Sequence, residues 1–414
     1  MVSCGAAKNA IDANRRAVAF RELVHEIPST TYATFALYRY PAKFIPQVIA
    51  YALKTFTRPG MSVFDPFAGY GTVGVVARLY GNSYELWDLN PLLKHLHAVS
   101  VMQPVQLDPE SLIEGISTFK GFFEPKWSNI SYWFPQDFLP MLCKAWGFYH
   151  SLEDEVAKQI LLVPLIKATR YFSYNDGQRQ KLSRSPLSKK RVDALLGQDW
   201  RSRFLDMTRE GIYLIMKKLE EYWYLEPKPV EATVRAGVDT LALDLEREHD
   251  VLITSPPYLQ AQEYIRAAKM DLFWLGYSEA TVKKLSKKEI PYRDVRQCEI
   301  YSPTYHEYRE KIREIHLRKL FDRYFWAVLG ALTRLQERVR NYLLLFVGPA
   351  TIRAEAIPID RVFAEHFAEL GWRHEETLVD SIVARSMFFY KANPATGLRD
   401  KRMATEHLVI LSRR

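Results

Sequence analysis

Asp65-Pro66-Phe67-Ala68-Gly69-Tyr70-Gly71-Thr72 is the stretch on which the fold turns. It follows the apolar run 61-65 (MSVFD), which predicts a short buried strand, and leads into 72-80 (TVGVVARLY), which predicts a helix. Gly69, Gly71 and Gly74 carry the spacing G-x-G-x-x-G between the two. Glycines in such a loop permit a tight turn and let the backbone approach a ligand closely. Residues 84-87 (YELW) predict a second strand, with Asp88 at its end, suitably placed to accept hydrogen bonds from ribose hydroxyls. A strand, a loop, a helix and a second strand in this order begin a parallel α/β sheet.

Three glycines alone fit a dinucleotide fold equally well. The acid before them changes the balance. A pyrophosphate needs the helix N-terminus free of negative charge, and Asp65 at the strand tip would repel it. The same acid suits the cationic amino group or sulfonium of S-adenosylmethionine. The simpler alternative for Asp88 is a helix cap for the start at Asn90-Pro91.

Working outward, strand signals return at 250-254 (DVLIT), 342-347 (YLLLFV) and 406-411 (EHLVIL). Residues 358-370 read as a helix and 375-384 as a further strand. Residues 103-228 have a different character, with apolar positions at helical spacing such as Ile160, Leu161, Val163, Ile212, Ile215 and Leu219. They are expected to form a mostly helical insertion into the sheet. Within it, 175-204 holds eight basic residues against three aspartates and is expected to be a basic surface loop. A second run, Lys283 to Arg296, has six basic residues against two acids.

The 414 residues are 48% hydrophobic and 25% charged, which excludes disorder, a collagen repeat and a disulfide scaffold. Cys4, Cys143 and Cys298 are far apart and lack zinc-ligand spacing. The net charge of +9 suits a polyanionic partner, since neutralising phosphates releases counterions. Two basic runs flanking one candidate site point to a nucleic-acid channel, with Arg179, Lys181, Arg184, Lys189, Lys190, Arg191, Lys283, Lys284, Lys287 and Lys288 as phosphate contacts. Neither an apolar stretch of about 18 residues nor a signal-peptide core is apparent, so a cytoplasmic protein is expected.

Thr254-Ser255-Pro256-Pro257-Tyr258 follows the strand at 250-253, at the carboxyl end where α/β sheets place their chemistry. Two prolines fix the backbone and leave local carbonyls free as acceptors. A serine hydroxyl and a rigid carbonyl together can grip an exocyclic amino group, and Tyr258 offers a face for a base swung out of its helix. Gripping both amino hydrogens frees the nitrogen lone pair to attack an electrophilic methyl. Ser255, Pro256, Pro257 and Tyr258 are therefore the candidate catalytic residues.

With both constellations in hand, the chain resembles the amino-group DNA methyltransferases, in particular bacterial cytosine-N4-specific enzymes of restriction-modification type. Tyr40-Pro41-Ala42-Lys43-Phe44-Ile45-Pro46 is similar to that family's cofactor-lid motif, Asp65 to Thr72 to its methionine-binding loop, and Asp88-Leu89-Asn90-Pro91 to its ribose-binding turn. Asp239 with Thr240 resembles an acid near the cofactor adenine, and Thr254 to Tyr258 its catalytic loop. Val347 to Ile359 and Glu406-His407-Leu408 also look familial, whereas Val347-Gly348-Pro349-Ala350 departs from the usual polar tract and the loop after Ser386 is long. None of the cysteines follows a proline, which excludes the cytosine-C5 class.

The resemblance implies a Rossmann-like class I S-adenosylmethionine-dependent methyltransferase sheet, divided into 1-102, the insertion 103-228 as target-recognition region, and 229-414. It implies S-adenosylmethionine held by Tyr40, Lys43, Phe44, Asp65, Pro66, Phe67, Gly69, Gly71, Thr72, Asp88, Leu89, Asn90, Asp239 and Thr240. The partner would be double-stranded DNA, with any restriction endonuclease a separate chain, and a monomer or dimer suffices. Other readings are adenine-N6 methylation, since the Asp that the family's N6 members mostly carry where Ser255 stands and the serine both offer an oxygen acceptor, then an RNA methyltransferase, a non-catalytic nucleic-acid binder and an NAD dehydrogenase.

Overall fold

The computed structural model describes residues 11, 13–41, 43–179, 181–259, 263–353, 355–382 and 403–413. Cys4, Ala42 of the lid motif and the long loop after Ser386 lie outside the described residues. In chain order the strands are β1 (Arg15–Val18), β2 (Ser62–Asp65), β3 (Ser83–Asp88), β4 (Ala232–Ala236), β5 (His249–Thr254), β6 (Val339–Val347), β7 (Ala350–Ile352), β8 (Glu355–Ile357), β9 (Trp372–Ser381) and β10 (Thr405–Arg413). Eight of them form one sheet in the order β1-β9-β10-β6-β5-β2-β3-β4, and β7 and β8 pair as a separate hairpin. Strands β4, β3, β2, β5 and β6 run parallel, while β10 is antiparallel to both of its neighbours. This is the Rossmann-like α/β sheet expected of the class I methyltransferases.

The strands expected at 61-65, 84-87, 250-254, 342-347 and 406-411 correspond to β2, β3, β5, β6 and β10, and that at 375-384 to β9. Strands β2, β3, β5, β6 and β10 are central and largely buried, so they read as apolar runs, whereas β9 is part-exposed over Arg373–Glu376. The unexpected strands β1 (RRAV) and β4 (ATVRA) are the two edges of the sheet. Edge strands are half solvated and carry charge, which removes the apolar signal.

The main helices are α1 (Pro46–Phe56), α2 (Thr72–Leu79), α3 (Leu92–Ser100), α4 (Pro109–Thr118), α5 (Leu139–Ser151), α6 (Glu155–Tyr171), α7 (Pro186–Leu196), α8 (Trp200–Trp223), α9 (Tyr264–Trp274), α10 (Glu279–Lys288), α11 (Pro303–Lys311), α12 (Ile315–Leu335) and α13 (Ile359–Glu369). None of them is long and apolar enough to cross a membrane. On one face of the sheet Val48, Ile49 and Leu53 of α1 and Val73, Val75 and Val76 of α2 cover Val63, Val251 and Leu344. On the other, Phe321, Phe325 and Val328 of α12 and Val362 and Phe363 of α13 cover Phe64, Leu252 and Leu343.

Helices α4 to α8 lie between β3 and β4 in the chain and bury a core of their own. Helix α3 joins the two bodies, giving Leu93 to the sheet core and Leu92, Leu96 and Val99 to the helical one. Helix α9 joins them again, burying Ile265, Met270, Leu272 and Trp274 among the helices. Beside that seam Arg170 makes a two-pronged ion pair with Asp271, both contacts at 2.7 Å, and Tyr38 donates its hydroxyl to the same carboxylate.

The basic segment 175-204 differs from the expected surface loop. It is mostly helical, comprising α7 and the first turn of α8. Local chemistry accounts for the helix starts. Ser185 and Ser188 form a reciprocal capping box with Pro186 at the first position, and Asp199 caps α8 through the Ser202 N–H.

A candidate active site at the crossover between β2 and β5

The chain passes from β2 to β3 to β4 in one direction, then returns to place β5 on the other side of β2. The two strands on either side of this reversal end in the two sequence motifs, Asp65 on β2 and Thr254 on β5. Crevices at such reversals, beyond the carboxyl ends of the strands, are where open α/β sheets bind ligands.

The glycines act as their positions require. Gly69 and Gly71 have φ of +54° and +87°, in the left-handed region, and Gly71 is the N-cap of α2. Gly74 serves packing. A Cβ there would lie 2.7 Å from both the Tyr84 ring and His97, so its absence lets α2 lie close against β3 and α3. The Gly69 N–H donates to Asp88 Oδ2 and the Asn90 N–H to Asp88 Oδ1, both at 2.7 Å. The Asp88 carboxylate thus fixes the glycine loop and the turn after β3 while still lining the cleft. Burial pushes it up to about 6 against those stabilising N–H bonds.

Asp65 differs from the expected contact with a cationic group in the cleft. It is 1% exposed and is not part of the cleft wall. Its Oδ1 accepts the Thr254 hydroxyl at 2.6 Å and the Phe67 N–H at 3.1 Å. Desolvation pushes its carboxyl up to about 7, with repulsion from Asp88 adding to the shift. Pro66, Gly71, Thr72 and Pro256 likewise stand behind the wall. The Pro66 carbonyl accepts the Thr240 hydroxyl at 2.6 Å, tying the Asp239 loop to the end of β2.

The cleft has about 1140 Å³ of empty space, part of it open to solvent. Tyr40, Lys43, Phe44, Phe67, Gly69, Asp88, Leu89 and Asn90 form its cofactor-motif side, with Asp239 and Thr240 next to them. Ser255, Pro257 and Tyr258 form the wall beyond β5. The Tyr40 ring stacks on Tyr264 with centroids 6.2 Å apart, and it also fills the space that a side chain at Gly69 would need. The Lys43 ammonium donates to the Phe35 carbonyl, and burial lowers it to about 8. Asp239 pairs with Arg293 at 2.8 Å and Lys288 at 3.6 Å. Tyr258 donates its hydroxyl to Glu406 Oε1 at 2.6 Å, so a residue of β10 orients the ring beside Ser255.

Sequence reasoning missed part of this wall. Tyr264 of α9, Glu289 and Ile290 after α10, and Leu320, Arg323 and Tyr324 of α12 close the cleft. They come from elements brought in by the tertiary fold and carry no motif. The one available signal was Glu289, an acid standing among the lysines of the second basic run.

The basic residues divide. Arg184, Lys283 and Lys287 line a second, more open groove of about 1340 Å³, together with Arg266, Lys269, Tyr132 and Tyr292. Arg184 lies over the rings of Tyr132 and Tyr174 at 4.5 and 4.3 Å. Lys189, Lys190 and Lys284 are exposed. Lys181 pairs with Glu263 at 2.7 Å, Arg179 with Asp176 at 3.3 Å, and Lys288 with Asp239. Arg191 differs from the expected phosphate contact. Its guanidinium donates to the carbonyls of Tyr171, Ser173 and Asn175 at 3.1, 2.6 and 2.9 Å, satisfying the end of α6. Buried carbonyls beyond a helix end need such a donor.

No family model matches the chain, and no curated protein matches it. Solved structures similar to it include two of the rRNA methyltransferase aviRa from Streptomyces viridochromogenes, at 1.5 and 2.4 Å. Each is 10% identical over 91% of this chain and 88% of that one, with TM-scores of 0.31 and 0.28.

Proposed function

We propose that the protein is an S-adenosylmethionine-dependent DNA methyltransferase that modifies the N4 amino group of a cytosine flipped out of duplex DNA. The observation that carries this is the convergence of the Asp65–Thr72 loop and the Thr254–Tyr258 loop, from neighbouring strands, on one cleft. The residues present fit the cofactor: aromatic rings of Tyr40, Phe44 and Phe67 for its apolar parts, and carboxylates of Asp88 and Asp239 for hydroxyl and amino groups. When bound, it supplies an already activated methyl on sulfur.

The chain's residues bind and orient. Ser255, at the mouth of β5, accepts from the amino group, in a backbone stiffened by Pro256 and Pro257. Tyr258 stacks on the extruded base, its ring angle set by Glu406. Arg184, Lys283 and Lys287 hold phosphates of the strand that leads to the cleft. The helices α4 to α8 contribute target recognition beside them.

The test is to incubate the full chain with labelled S-adenosylmethionine and unmethylated bacterial DNA, digest to nucleosides and identify the product by mass spectrometry. N4-methylcytosine is the expected product. N6-methyladenine overturns the base assignment and leaves amino-group methylation standing, and label appearing in RNA alone overturns the DNA assignment.

A further inference from the structure

The cleft and the basic groove have one wall residue in common, Glu289. It stands immediately after α10, where the second basic run turns toward the cleft, and it is 7% exposed. Its Oε1 accepts the Ile265 N–H at 3.0 Å. That N–H belongs to the first turn of α9, the helix that follows the Ser255–Tyr258 loop, so the carboxyl is fixed relative to that loop. Arg184 from the helical body and Lys269, Lys283 and Lys287 from α9 and α10 border the groove that ends there. A strand held along these cations meets Glu289 where its base would enter the cleft.

The groups around the carboxyl favour its use as a base near neutral pH. Burial pushes it up to about 7, and the negative charges of Glu263 and Asp88 add to that shift against the N–H bonds that lower it. Tyr264 faces it from α9 and Tyr292 from its own turn, while Tyr324 and Arg323 of α12 line the same cleft. Of the lysines nearest in the wall, Lys288 is paired with Asp239 and Lys43 with a carbonyl.

We propose that Glu289 accepts the proton that the exocyclic amino group sheds as the base, delivered along the basic groove, is methylated in the cleft. The inference rests on the methyl-transfer reading above and assigns a step which Ser255 and the prolines leave without an acceptor. The amino nitrogen lone pair forms the new N–C bond, and the S–C bond of the sulfonium donor breaks with its electron pair going to sulfur. The nitrogen, now positively charged, gives one hydrogen ion to the Glu289 carboxylate and is left neutral.

A purely structural role, capping α9, makes a different forecast. A glutamine amide oxygen accepts from Ile265 as well as a carboxylate does but takes up no proton. The experiment is the pH dependence of single-turnover methyl transfer by the wild-type chain and by Glu289→Gln, with saturating S-adenosylmethionine and bacterial DNA. The carboxylate is the working form, so the wild-type rate rises through an inflection near 7 and levels above it. Glu289→Gln is expected to fall by roughly 100-fold or more and to lose the inflection, with a thermal midpoint no lower than wild type and cofactor affinity unchanged. If Glu289→Gln fails to fold, Glu289→Ala assayed with added formate replaces it, and recovery of rate by formate is expected. A substituted chain that keeps the inflection, or Glu289→Ala that formate does not restore, overturns the proposal and leaves the methyl-transfer reading intact. A wild-type chain that transfers no methyl to any nucleobase amino group overturns both.

Discussion

The Thr254 hydroxyl donates to Asp65 Oδ1 at 2.6 Å, joining the tip of β5 to the tip of β2 through two side chains that are almost wholly buried. The two motifs are therefore coupled parts of one site. Thr254→Val keeps the shape and removes the donor, leaving the Phe67 N–H as the remaining hydrogen-bond partner found for that carboxyl. The expected loss is about 1–3 kcal/mol of stability by urea unfolding, while Thr254→Ser stays near wild type. Equal stability of the valine and wild-type chains counts against the coupling.

Asp65 also predicts how stability responds to pH. Its carboxyl sits near 7 in the fold against an ordinary value of 3.8, so the folded state prefers the protonated form. The stabilisation is complete below about 3.8 and is lost progressively as pH rises to about 7. Asp65→Asn keeps an oxygen for both Thr254 and Phe67 and carries no charge. Its thermal midpoint should draw ahead of wild type between pH 4 and 7 and hold that lead above. A constant difference across the range would mean that Asp65 is ionised in the fold.

Gly74→Ala separates packing from helix propensity. In an open helix the change gains about 1 kcal/mol. Here the new methyl meets Tyr84, His97 and Leu86 at 2.7 to 2.9 Å, and the first two are further held by the bond between Tyr84 Oη and His97 Nε2 at 2.8 Å. Overpacking of this kind costs about 1–3 kcal/mol, so a net loss is expected by denaturant melts. A gain would show that α2 shifts freely on the sheet.

The basic residues should divide in solution as they do in the fold. Replacing Arg184, Lys283 and Lys287 with alanine is expected to flatten the salt dependence of DNA binding by about 0.9 in log–log slope for each phosphate no longer neutralised. Arg191→Ala should leave the slope unchanged and lower the melting temperature instead, since it uncovers three carbonyls. Fluorescence anisotropy across a salt series, beside thermal melts of each variant, reads both effects. A slope altered by Arg191→Ala alone would restore it to the nucleic-acid face.

The parts of the site legible in sequence are those where one short segment holds both a strand end and its loop. Asp65 to Thr72 and Thr254 to Tyr258 are such segments, and the strand ahead of each is buried on both faces, so its apolar run is plain. The opposite wall of the cleft was hidden because Tyr264, Glu289 and Tyr324 arrive on α9, the turn after α10 and α12, which the fold alone brings together. Glu406 was visible as a residue next to a familiar strand, yet its bond to Tyr258 crosses 148 positions of chain. Arg191 misled for a related reason. Charge is read from composition, whereas the carbonyls that engage it are set by how α6 and α7 meet.

Strand β10 lies between β6 and β9, and among the described residues it is the sole hydrogen-bonded link that carries β9 and β1 on the sheet. A ribosome delivers β1 at residues 15–18 and β10 only at 405–413, so the earliest strand to emerge must wait for the last before it has a place to dock. Through that interval β6 offers its unpaired edge to any extended peptide nearby. A ribosome stalled before residue 405 would present a sheet still open along one side and a Tyr258 ring without its Glu406 partner.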